Sequence, residues 1–68
     1  MTYGIEIYGH GARRRYVLKA LIPNGTLPID GKCYKSEEAA RSAAKAQGLQ
    51  IVAVGDLWTL TVARRATA

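Results

Sequence analysis

The lack of residues that could form a disulfide bond or a structural metal site most constrains how these 68 residues can fold. Cys33 is the only cysteine, so no intrachain disulfide can form. Together with His10, the only histidine, it cannot supply the four ligands of a structural zinc. A chain of this length buries only about 60% of the surface that it exposes when unfolded. We therefore expect one domain over residues 1–68, without metal or cofactor, held by packing alone or by self-association as a homodimer.

Two strands are predicted at the start of the chain. Residues 3–8 alternate between large apolar and smaller or polar residues, which is the period-two pattern of a half-buried strand. After a short loop, residues 14–22 form the second predicted strand. Pairing Ile5 with Leu18 places the large apolar residues on one face, whereas a one-residue slip would move them among the cations of the other face.

The middle of the chain predicts a strand of limited length and then a helix. Pro28 confines residues 26–30 to a sheet edge or a loop, and residues 32–34 are left open as a short strand. Ser36 is a good N-cap, and Gly48 stands where a helix commonly ends. The apolar face of this helix contains only alanine, so the helix can lie close to a sheet but adds little bulk to the core.

A second hairpin is predicted after the helix. Residues 49–54 and 57–63 both alternate, and Gly55 followed by Asp56 fits a two-residue type II′ turn. In this register Trp58 points into the core. The predicted fold is therefore α+β: a single antiparallel β-sheet of four to five strands with one α-helix packed on one face, in the order β-β-(β)-α-β-β. The other face of the sheet is expected to be open.

The charge of the chain favours polyanionic partners. The net charge is +5, with ten lysines and arginines against five acidic residues, although a basic balance also serves simply to keep a small protein soluble. No apolar run approaches the length of a membrane span, and the first residues lack the features of a signal peptide. With a lone cysteine, these observations predict a cytoplasmic protein without a membrane partner.

Few residues could perform catalysis. His10 lies between glycines in a loop that holds no base in position, and Cys33 is interpreted as a small buried residue. Glu37 and Glu38 resemble paired carboxylates, but their place at a helix start is explained by the helix dipole. We therefore expect a binding protein and not an enzyme.

An arginine run at the end of the first hairpin loop predicts one binding surface. Guanidinium groups suit phosphates, and a basic sheet face with an exposed tyrosine is typical of a surface on which bases stack. The alternative is a solvated charged hairpin that prevents aggregation. The predicted nucleic-acid contacts, to free nucleic acid or a nucleoprotein, are Tyr8, Arg13, Arg14, Arg15, Lys19, Arg64 and Arg65.

The open face of the second predicted hairpin suggests a different function. Its residues carry no charge and would need a partner or a second copy to cover them. The small size and the alanine- and arginine-rich make-up also look like those of a phage product. The alternative hypothesis is a small phage-type inhibitor, for example anti-CRISPR-like, that acts by protein–protein contact against host defence or host machinery. The predicted protein interface consists of Val52, Val54, Leu57, Thr59 and Thr61.

Overall fold

The structure is a computed structural model that describes residues 2–67, with the side chains of residues 2–65. The strands are β1 (Thr2–Tyr8), β2 (Arg15–Ile22), β3 (Gly25–Pro28) and β4 (Ile51–Gly55), and the helices are α1 (Glu37–Ala46) and α2 (Leu57–Thr67). The four strands form one sheet in the order β3-β2-β1-β4. The predicted α+β class is confirmed, but the sheet is mixed, because β4 runs parallel to β1.

The first hairpin has the predicted register. Ile5 pairs with Leu18 and Ile7 pairs with Tyr16, and the side chains of Ile5 and Leu18 are fully buried. β3 pairs only with β2 and forms one edge of the sheet, as the proline within it requires. Alternation of apolar residues was sufficient to fix this register because a one-residue slip would place Ile5 and Ile7 among the cations of the other face.

Helix α1 begins and ends where its sequence predicts. The backbone N–H of Ala39 donates to Oγ of the N-cap Ser36 at 3.1 Å, and Gly48 adopts a φ of 74° just beyond the last turn. The small side chains of Ala40 and Ala44 are buried against the face of the sheet that carries Ile5 and Leu18. This alanine face therefore lets α1 approach the sheet closely.

Residues 32–34, before α1, do not form the short strand that the sequence left open. Tyr34 makes a single antiparallel bridge with Tyr16, through two backbone hydrogen bonds of 2.7 and 2.8 Å. Cys33, beside it, is exposed, so its interpretation as a buried apolar residue is wrong. The bridge ties residues 32–35 to the start of β2 without extending the sheet.

The predicted second hairpin is wrong, because residues 57–67 form helix α2. Asp56 is not a turn residue but the cap of this helix: its Oδ1 accepts from the backbone N–H of Thr59 at 2.9 Å and from the Thr59 hydroxyl at 3.0 Å. Trp58, predicted to lie in the core, is 69% exposed. A strong local cap therefore outweighed the strand-like alternation of the apolar residues that follow it.

A bulge changes which residues of β4 share a face. Tyr3 pairs with Ile51 but Gly4 pairs with Ala53, so Val52 is an extra residue on β4. As a result Val54 turns toward α1 and packs against the core, whereas Val52 is exposed. The residues of the predicted protein interface therefore do not share one sheet face, since these two valines diverge and the other three members lie on α2.

Helix α2 covers the face of the sheet that was predicted to be open. Leu60 is fully buried, and an added Cβ on Gly4 would lie 2.7 Å from its Cδ2 atom. Val17 and Leu21 on the same face are also buried. The domain thus has three layers, with α1 on one face of the sheet and α2 on the other, and Gly4 provides the space that α2 needs.

A polar network fastens the loop before α1 to the end of that helix. The Tyr34 hydroxyl donates to Asp30 Oδ2 at 2.6 Å, Gln47 Nε2 lies 3.3 Å from the same oxygen, and the Lys32 backbone N–H donates to Oδ1. Desolvation acts to raise the pKa of Asp30, but these hydrogen bonds together outweigh it and the pKa lies below its ordinary value. The bond to Asp30, followed by desolvation, raises the pKa of Tyr34.

These pKa shifts predict a pH dependence of stability. Since the pKa of Asp30 is lower in the folded state, its contribution is present above the unfolded value of 3.8 and is lost as the pH falls through the folded pKa. Tyr34 contributes below its unfolded value of 10.0 and loses this contribution as the pH rises through its higher folded pKa. Tyr34→Phe should therefore lower the melting temperature near neutral pH but much less at pH values below the folded pKa of Asp30, as followed by circular dichroism. An equal loss at every pH would contradict this role for the bond.

The contact between Gly4 and Leu60 predicts a compensating pair of mutations. Gly4→Ala should destabilise the domain by about 1–3 kcal/mol through overpacking, and Leu60→Ala by about 2–5 kcal/mol through a cavity. Because the added methyl group can occupy part of that cavity, the double variant should be more stable than the sum of the two costs predicts, by about 1 kcal/mol. Urea unfolding measures all three. If the losses in the free energy of unfolding were strictly additive, Leu60 would not pack against Gly4.

Candidate nucleic-acid interface

The loop between β1 and β2 has a defined shape. Residues 11–13 form one 3-10 turn, in which the N–H of Arg13 donates to the His10 carbonyl and that of Arg14 to the Gly11 carbonyl, each at 3.1 Å. Gly9 enters the turn with a φ of 75°, and a Cβ at this position would lie 2.7 Å from the Arg13 carbonyl oxygen. The arginine run is therefore presented on a folded turn.

The three arginines have different environments. Arg13 and Arg14 are exposed, and neither forms a salt bridge within the part of the chain that the structure describes. Arg15 is half-buried, and its Nη1 donates to the backbone carbonyls of Arg14 at 2.8 Å and of Ala12 at 3.2 Å. Arg15 thus stabilises the turn through these two hydrogen bonds, while the side chains of Arg13 and Arg14 are accessible to a ligand.

The bridge between Tyr16 and Tyr34 adds a fourth cation to this end of the sheet. Lys35 follows Tyr34 and Arg15 precedes Tyr16, so the antiparallel bridge brings these two cations to the same level. Lys35 is exposed. We refer to Arg13, Arg14, Arg15 and Lys35 as the basic end. Sequence reasoning missed Lys35, because its place depends on a single bridge that no alternation of residues signals.

Tyr8 lies beside the basic end, and its ring contacts the cation of a mostly buried ion pair. Tyr8 pairs with Arg15 in the sheet and is 43% exposed. The Lys19 ammonium lies 5.6 Å from the centre of its ring and 3.7 Å from Glu6 Oε1. The Lys19 side chain is only 13% exposed, so Lys19 positions Tyr8 and neutralises Glu6 and is poorly placed to contact a phosphate.

Most acidic side chains are engaged in interactions with other groups of the domain. Glu6 pairs with Lys19, Asp30 binds the loop before α1, Glu37 pairs with Arg41 at 2.7 Å, and Asp56 caps α2. These are four of the five acidic residues of the chain. Glu37 and Glu38 follow Lys35 closely in the chain and offset part of its charge, whereas Arg13 and Arg14 have no acidic partner among the described residues, so a positive potential is expected at the turn.

Two of the predicted nucleic-acid contacts lie away from the basic end. Helix α2 starts beside Gly55, which pairs with Glu6, and passes Gly4 at Leu60, so it runs away from the loop of residues 9–14. Arg64 and Arg65 occupy its last turn, where cations stabilise the helix dipole. Of the predicted nucleic-acid contacts, only those in the first hairpin therefore lie close to one another.

The comparisons with known proteins found no match. No family model matches the sequence, and no match was found among the curated proteins or the solved structures. No helix among the described residues is long and apolar enough to cross a membrane. Residues 2–67 also contain no group of three or more histidine, cysteine or acidic side chains arranged to hold a metal ion.

The buried ion pair predicts unequal effects of single and double mutations. Lys19→Met should destabilise the domain by roughly 3 kcal/mol, because it leaves the Glu6 carboxylate buried without a cation. Adding Glu6→Leu removes that charge and should recover most of the loss. Urea unfolding of the single and double variants tests this. A double variant that is no more stable than Lys19→Met would show that the pair does not act as one unit.

Proposed function

We propose that the domain is a non-enzymatic module that binds nucleic acid, free or within a nucleoprotein, through its basic end. The observation that carries this proposal is the state of the charged side chains: four of five acidic side chains are engaged in contacts within the domain, while Arg13 and Arg14 are exposed on a folded turn without an acidic partner among the described residues. Arginine offers phosphate a planar fork of donors, so two exposed arginines on a turn suit a sugar–phosphate backbone.

The neighbourhood of Tyr8 favours a single strand as the ligand. An aromatic ring beside cations can stack on an unpaired base while the cations contact its phosphates, and such stacking tolerates any base. Tyr8 is part-exposed and adjacent to Arg15, and the Lys19 ammonium restrains its ring. In this arrangement Arg13, Arg14 and Lys35 contact phosphates, Tyr8 stacks on a base, and Arg15 and Lys19 maintain the geometry.

The proposed surface is smaller than the sequence alone indicated. Helix α2 lies on the sheet face that was expected to receive the ligand, and Arg64 and Arg65 belong to the far end of that helix. The alternative function, an inhibitor that acts by protein–protein contact, loses its flat uncharged sheet surface for the same reason. Its support now comes from the apolar side chains on the outside of α2.

Salt dependence provides the first test of the proposal. Fluorescence anisotropy should show binding to a labelled single-stranded oligonucleotide, with an affinity that falls steeply as salt is raised. The double variant Arg13→Gln/Arg14→Gln should reduce the slope of log affinity against log salt by about 1.5, because it removes two phosphate contacts. A slope unchanged by the double variant would contradict the proposed site.

A matched control separates the site from net charge. Lys45→Gln removes one exposed positive charge from the last turn of α1, roughly 12 Å along the helix from its start. It should reduce affinity much less than Arg14→Gln, although both variants lose one unit of charge. Tyr8→Leu should weaken single-strand binding by about tenfold and duplex binding much less, as expected for lost stacking. No detectable binding to any nucleic acid at low salt would reject the proposed function.

A further inference from the structure

The outer face of α2 exposes a group of apolar side chains. Trp58 is 69% exposed, Leu57 54% and Val62 48%, whereas Leu60, on the inner side of the same helix, is fully buried. Trp58 and Val62 are four residues apart and therefore neighbours on the helix surface, with Arg65 one turn further along. Their combined apolar area is on the order of a few hundred Å², comparable to the largest apolar patch of a typical monomer, which is often functional.

The charges of α2 are arranged by sign along its length. Its single acidic side chain is that of the exposed N-cap residue Asp56, and its two cations, Arg64 and Arg65, lie in the last turn. Hydrogen bonds to Asp56 from the backbone N–H and then the hydroxyl of Thr59 lower its pKa, so this carboxylate is ionised at neutral pH. Two such helices packed antiparallel bring opposite charges together at both ends, whereas parallel packing brings like charges together.

We propose that a second copy of this chain packs against the outer face of α2, in an antiparallel arrangement about a two-fold axis. Trp58 of each protomer then packs near Val62 of its partner, and each Asp56 lies at the end of the helix pair that carries the partner's Arg65. A two-fold interface uses the same patch twice, so one apolar centre with unlike charged ends is self-complementary. The proposal is independent of the nucleic-acid function and concerns a different surface.

The size of the patch sets the expected strength of the dimer. A standard interface buries about 800 Å² per partner, so an apolar centre of a few hundred Å² with a polar rim makes a small interface. Each protomer also carries a net charge of +5, which opposes association and is screened by salt. We therefore expect a dissociation constant in the micromolar range that moderate salt does not weaken, in contrast to nucleic-acid binding.

Sedimentation velocity and the fluorescence of Trp58 test the dimer directly. Trp58 is the only tryptophan, so its emission reports this face alone. Between roughly 1 μM and 1 mM protein the sedimentation coefficient should rise from that of a monomer to that of a dimer, and the emission should shift to the blue over the same range. A monomer with unchanged emission up to 1 mM would overturn the proposal.

Substitutions at the centre and at the ends distinguish this interface from general association. Trp58→Ala should weaken the dimer by about 30-fold, as for a central aromatic contact. Asp56→Asn should weaken it by about threefold, because asparagine keeps the cap but loses the charge. Leu27→Ala is the matched control, since Leu27 is 53% exposed on β3 away from α2, and it should leave the dimer unchanged. A dimer that Leu27→Ala weakens and Trp58→Ala does not would refute the assignment.

Discussion

The close approach of Leu60 to Gly4 is the contact on which the rest of the structure depends. Only a residue without a side chain leaves room for a helix at this point of β1, because a Cβ would meet Leu60 Cδ2 at 2.7 Å and the Ala53 carbonyl oxygen at 3.1 Å. With Leu60 in place, both faces of the sheet are covered and Val17 and Leu21 are removed from water. A 68-residue chain without disulfides thereby gains a second small core at little cost in length.

Covering the second face also limits which cations are accessible from solvent. Several cations that were expected to line an open face do not do so. Lys19 is mostly buried in an ion pair with Glu6, and Arg64 and Arg65 lie in the last turn of α2. What stays accessible is the end of the first hairpin. Arg13 and Arg14 are exposed there without an acidic partner among the described residues, so the proposed function rests on electrostatics and exposure and does not require a cavity.

The parts that the sequence predicts correctly are those in which local signals and packing agree. The pairing of Ile5 with Leu18 follows from alternation, and α1 follows from Ser36 and Gly48. Residues 57–63 were wrongly predicted because their alternation and β-branched residues favour a strand, while the decisive hydrogen bonds of Asp56 are compatible with a turn or a cap.

Two signals in the sequence could have corrected the interpretation of the C-terminal half. A glycine in the middle of an otherwise apolar strand, as at position 4, marks a close approach of another element, and Asp56 three residues before Thr59 is a common helix start. The bulge at Val52 and the position of Lys35 could not have been inferred, since each depends on pairing between segments distant in the chain. The sequence therefore indicated the arginine run as part of the candidate site. It did not indicate Lys35 or the residues that α2 covers, because their exposure depends on tertiary contacts.

The most direct measurement of the central claim is an NMR analysis of residues 57–65 together with Gly4. We expect helical Cα chemical shifts for this segment and a nuclear Overhauser contact between a Gly4 α-proton and a Leu60 methyl group. Strand-like shifts, with cross-strand contacts between residues 52–54 and 57–59, would contradict it. That result would restore an open sheet face and move the binding surface from the hairpin end to the sheet.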